Sequence, residues 1–125
     1  MRERRKEQRK TLMAYTQVFD LYAGHLLGYL GDLTLLGAMV IGEKTMPENT
    51  ELTLAIELPE LPHVNTMRIT LPARVAWSQQ DLSPEYFNIG FEFKEVSNDQ
   101  KKLIQAIIEQ YEFRRDMPNY NIKPS

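Results

Sequence analysis

Two stretches of this chain alternate apolar and polar residues with a period of two, and that pattern fits an extended strand with one buried face. In the run from Glu51 to Leu58, the residues Leu52, Leu54, Ile56 and Leu58 fall on every second position, which on a pleated backbone puts them all on one side. Phe87, Ile89, Phe91 and Phe93 repeat the pattern, with Asn88, Gly90 and Glu92 facing the other way. Around these lie four more β-prone runs: Thr11 to Phe19, Leu26 to Leu33, Ala38 to Ile41, and Met67 to Trp77. Turn signals separate them. They are Gly24 within residues 20–25, a sharp connection at Thr34 to Gly37, the loop with Gly42, Pro47 and Asn49, the pair Pro59 and Pro62, and Asp81 with Ser83 and Pro84. Gly28 and Gly31 allow a bulge in the second run, and Pro72 demands an edge position or a bulge in the fifth. Six short strands joined this way predict a small antiparallel barrel or sandwich.

The period changes once, near the C-terminus. Ser97-Asn98-Asp99-Gln100 fits a capping box, and Leu103, Ile104, Ile107, Ile108 and Tyr111 recur at helical spacing. The expectation is an all-β domain, residues 11–96, followed by a helix over 97–115 and a loose tail, 116–125. With 125 residues and no Cys, the chain reads as one domain that needs no disulfide, and thiol chemistry and Cys-ligated zinc are excluded. His25 and His63 stand far apart without a metal-binding or triad setting, and acidic residues such as Glu57 and Glu60 form no general acid/base arrangement. No catalytic residue, metal or cofactor is therefore expected. No run approaches the ~18 apolar residues of a membrane span, and the expected compartment is the cytoplasm.

Charge is unevenly spread. Residues 1–10 hold six basic and two acidic residues, a net +4 in a chain whose total is −2, so the remainder carries −6. An anionic ligand is drawn to that basic, flexible arm, whereas a long nucleic acid is repelled by the rest. Within the arm, Arg5-Lys6-Glu7-Gln8-Arg9 forms Arg-x-x-x-Arg, and 23 residues past Arg9 comes Asp32-Leu33-Thr34-Leu35-Leu36-Gly37.

This pair is similar to the two signature motifs of the PilZ domain family, Arg-x-x-x-Arg followed by Asp/Asn-x-Ser-x-x-Gly, with Thr34 where the family has Ser. The resemblance extends to Arg74-Val75-Ala76-Trp77, a strand ending in Trp, and to Ile89-Gly90-Phe91-Glu92-Phe93, the final strand; it covers about residues 4–113. It implies a six-stranded antiparallel β-barrel with a C-terminal helix that binds the bacterial second messenger cyclic di-GMP. By that resemblance Arg5 and Arg9 grip phosphates and guanines, Arg4 is an accessory, and Asp32, Thr34 and Gly37 form the ligand-facing turn on the barrel.

The residue types suit the ligand. Arg forks onto phosphate oxygens or onto guanine O6 and N7, which the point charge of Lys does not. A carboxylate accepts guanine N–H donors, a hydroxyl donates or accepts, and Gly permits a backbone conformation that a Cβ disfavours. An arm that orders over its ligand makes the ligand a switch, read by an unidentified protein effector. Three readings stay open: a cyclic di-GMP receptor, a nucleotide-independent PilZ-fold adapter, and a single-strand nucleic-acid binder stacking bases on Tyr15, Tyr29 and Trp77. The apolar helix stripe also leaves a homodimer open.

Overall fold

The structure is a computed structural model that describes residues 11–13, 16–58 and 68–113. The basic arm with Arg4, Arg5 and Arg9, and the tail 116–125, lie outside the described residues. In chain order the elements are β1 (Thr11–Met13), β2 (Gln17–Asp20), β3 (Leu26–Leu33), β4 (Gly37–Gly42), β5 (Glu51–Glu57), β6 (Arg68–Gln80), β7 (Phe87–Phe93), α1 (Asn98–Gln110) and β8 (Tyr111–Phe113). Six of the strands close into an antiparallel barrel in the order β2-β3-β4-β7-β6-β5, with β5 pairing back to β2. Each barrel strand corresponds to one of the six runs in the sequence.

The alternation sets the inside and the outside. Leu54 and Ile56 of β5, Ile69, Leu71, Ala73 and Val75 of β6, and Ile89, Phe91 and Phe93 of β7 are buried in one core with Val18, Leu30 and Val40. Pro72 fits a closed barrel because its carbonyl accepts from the Lys94 amide at 2.8 Å. Its nitrogen therefore faces the same side, just past the end of β7, where no donor is required.

The helix covers one end of this core. Ser97 Oγ accepts from the Gln100 amide at 3.1 Å while Gln100 Oε1 accepts from the Ser97 amide at 3.0 Å, the reciprocal bonds of a capping box. The Gln100 side-chain amide also donates to the Thr70 carbonyl at 2.8 Å, which ties the first turn of α1 to the start of β6. Ile104 and Ile107 are fully buried in the barrel core, each contributing about 2 kcal/mol by removal from water. That end also holds the β3–β4 turn and the C-terminus of β7.

Two boundaries differ from the expectation. The helix ends at Gln110 rather than near residue 115, and Tyr111–Phe113 forms β8, paired in parallel with β1 from Thr11↔Tyr111 to Met13↔Phe113. The run from Thr11 to Phe19 is accordingly two strands, β1 outside the barrel and β2 within it. Backbone hydrogen bonds to β1 replace those that another helical turn would make, in a segment whose Tyr and Phe favour extended structure.

Candidate ligand-binding site

The β3–β4 turn is built by its own side chains. The Thr34 amide donates to the Gly37 carbonyl at 2.9 Å, and Thr34 Oγ1 accepts from the amides of Leu36 and Gly37 at 3.1 and 3.2 Å and donates to the Gly37 carbonyl at 3.3 Å. The hydroxyl's donor and both lone pairs are thus engaged inside the turn. The Leu36 carbonyl accepts from the Phe93 amide at 2.9 Å, which fastens the turn to the end of β7. Thr34 shapes this loop, and any ligand contact it makes exchanges one of these bonds.

Gly37 is required for a reason different from the one expected. Its φ is not positive; among the described glycines only Gly24 and Gly28 have positive φ. A Cβ on Gly37 would instead lie 2.1 Å from the Phe91 carbonyl oxygen, so the residue permits close approach of β4 and β7 rather than an unusual backbone conformation.

Asp32 reaches the outer surface through a bulge. The β3–β4 register shifts between Leu30 and Asp32, so Gly31 is the extra residue and both Leu30 and Leu33 stay inside. Asp32 is half-buried, with Oδ1 accepting from the Leu33 amide at 3.0 Å. A second shift, between Val75 and Trp77, makes Ala76 the extra residue on β6 and turns Trp77 outward.

The two bulges align one row across four strands. Asp32 pairs with Met39, Met39 with Gly90, and Gly90 with Trp77. At ~4.8 Å per strand the row spans roughly 14 Å from Asp32 to Trp77. Gly90 has no side chain because the indole occupies the space: a Cβ there would sit 2.2 Å from Trp77 Cε2. Trp77 remains 38% exposed, so the row offers a carboxylate, an apolar middle and an aromatic surface. The next row runs from Gly37 to Glu92 to Arg74. There Arg74 forms an ion pair with Glu92, and its Nη1 donates to Asn49 Oδ1 at 2.6 Å.

The Leu30 amide donates to the Thr16 carbonyl at 2.8 Å, and β2 runs antiparallel to β3, so Thr16 lies toward the Asp32 end of β3. Asp32, Thr34 and Gly37 lie together at that end; Arg4, Arg5 and Arg9 fall outside the described residues. Met39 and the cover of Gly90 by Trp77 are absent from a reading of the sequence, because they depend on cross-strand register. Among the described residues no group of three or more His or acidic side chains is placed to hold a metal ion, and no helix is long and apolar enough to cross a membrane.

The family model of the PilZ domain matches residues 3–110. The chain belongs to the PilZ domain family. The match includes both the Arg-x-x-x-Arg segment and the Asp32–Gly37 turn, and it agrees with the closed six-stranded barrel and its C-terminal helix. PilZ domains are in general non-catalytic domains that bind cyclic di-GMP. No curated protein and no solved structure matches the chain significantly.

Proposed function

We propose that this PilZ domain binds cyclic di-GMP against the outer face of β3, β4, β7 and β6, with Arg5 and Arg9 folding over the ligand from the arm. The observation that carries the reading is the register row of Asp32, Met39 and Trp77, with Thr16, just before β2, bonded to Leu30 toward the Asp32 end. Asp32 accepts guanine N–H donors, Trp77 stacks on a base, and the arm arginines fork onto phosphates or guanine edges, with Arg4 as an accessory. Thr34 and Gly37 hold the turn that presents Asp32. Ordering of the arm changes the surface that a protein effector meets.

Isothermal titration with cyclic di-GMP, with GTP and cyclic di-AMP as controls, tests this. Guanine-selective binding at micromolar affinity or better is expected. Arg5→Ala and Arg9→Ala should each cost about 2 kcal/mol or more, as for a lost charge-assisted contact, and Trp77→Ala about 1–3 kcal/mol for lost stacking. No binding by the intact chain would refute the nucleotide reading and favour the adapter. Binding that survives in the Arg5/Arg9 double variant would refute the site.

A further inference from the structure

The barrel end opposite α1 is formed by the β2–β3 turn, the β4–β5 loop and the β6–β7 loop, and it opens into a cavity of about 1040 Å³. Leu26, Leu30, Ile41, Met46, Leu82 and Tyr86 contribute to its lining. Several of these apolar side chains remain open to solvent: Leu26 is 42% exposed, Tyr86 37% and Leu82 64%. Side chains this apolar and this exposed, gathered around one concave opening, mark a recognition surface rather than scattered surface residues.

Charge selects the occupant. Glu43 and Asp81 line the cavity, with Asp20 on the strand end and Glu85 in the loop of the same barrel end, and Lys44 is the one Lys or Arg among the described lining residues. An acidic rim repels polyanions and carboxylate-headed amphiphiles and attracts cations. The chain's own basic arm, residues 1–10, has a single apolar residue, Met1, too little to fill an apolar cavity. A second copy would present another acidic body.

We infer that this mouth docks a basic amphipathic helix of a partner protein, its apolar stripe seated in the cavity and its Lys and Arg residues against the acidic rim. The site lies at the other end of the barrel from the Asp32–Gly37 turn, so nucleotide and partner can be held together. The inference does not depend on nucleotide binding.

The test titrates the full ¹⁵N-labelled chain with a synthetic amphipathic helical peptide of leucine and lysine, and with its leucine and glutamate counterpart. Amide shifts are expected at His25, Leu26, Lys44 and Leu82 with the basic peptide only. Leu82→Glu and Tyr86→Glu change exposed lining side chains, and each should weaken peptide binding by about tenfold or more, as for a lost apolar anchor. Glu43→Lys should also weaken it, and Leu82→Glu should leave the response to cyclic di-GMP at its wild-type level. Shifts centred on the Asp32–Gly37 turn, equal binding of the acidic peptide, or unchanged affinity in Leu82→Glu would overturn the proposal. So would a dimer of the free chain, seen by sedimentation and lost in Leu82→Glu, because the occupant would then be a second copy.

Discussion

Replacing Gly37 by Ala places a methyl carbon 2.1 Å from the Phe91 carbonyl oxygen. Carbon and oxygen approach no closer than about 3.3 Å even in a weak C–H···O contact, so the β4 and β7 backbones have to part by about 1 Å at Gly37↔Glu92, the first pair of their ladder. Forcing a carbon into a packed site costs about 1–3 kcal/mol. The neighbouring bonds from the Thr34 amide to Gly37 and from the Phe93 amide to Leu36 weaken with it, at about 1 kcal/mol each if lost. The sum is about 3 kcal/mol, or a fall in Tm of about 12 °C for a domain of this size. Circular dichroism melts read this directly.

Gly24 is the control, because its φ is +80° and nothing lies within 4 Å of the point where a Cβ would stand. Ala there meets only backbone strain, about 1 kcal/mol, and Asn, which tolerates that conformation, should recover part of the loss. Asn at Gly37 should do no better than Ala. A Gly37→Ala melt within about 3 °C of wild type, or rescue of that position by Asn, would refute the close-approach argument.

Other substitutions test the remaining parts. Thr34→Val removes the acceptor for two turn amides and should lower stability by about 1 kcal/mol, whereas Thr34→Ser should keep both the turn and cyclic di-GMP binding; loss of binding in the Ser variant contradicts the role given to the hydroxyl. Ser97→Ala breaks the capping box and should cost about 1 kcal/mol in urea denaturation, and an unchanged midpoint argues against it. Lys94, by a 2.7 Å hydrogen bond and by its charge, holds the Glu51 carboxyl below its ordinary value of 4.5. A lowered carboxylate pKa stabilises above the ordinary value and loses that contribution as the pH falls through the lowered one. The advantage of wild type over Glu51→Gln should therefore be small at neutral pH, since the pair is exposed, and should vanish in acid; an advantage independent of pH rules out the linkage.

The barrel was legible because its evidence is local. Alternation in β5 and β7 told inside from outside, and Ser97 and Gln100 marked the start of α1. The candidate face was legible only at its motif residues. Whether Trp77 shares a row with Asp32 depends on the extra residues Gly31 and Ala76, each of which shifts the facing of its strand by one position, and nothing in either residue type announces the shift. The pairing of β1 with β8 was hidden for a related reason. A three-residue parallel contact between segments 100 positions apart leaves no periodic trace, and the helical spacing that runs on to Tyr111 points elsewhere. Gly37 was noticed for the right position and the wrong cause, since close approach is a property of the partner strand.

The β1–β8 pair has a practical consequence for anyone labelling this molecule. Residues 11–13 and 111–113 run side by side in the same direction, so a fluorophore, affinity tag or fusion joined after residue 113 starts its path alongside the segment that follows the arm. Because the two segments run in the same direction, that attachment point lies beside Met13, at the opposite end of the pair from Thr11, where the arm joins.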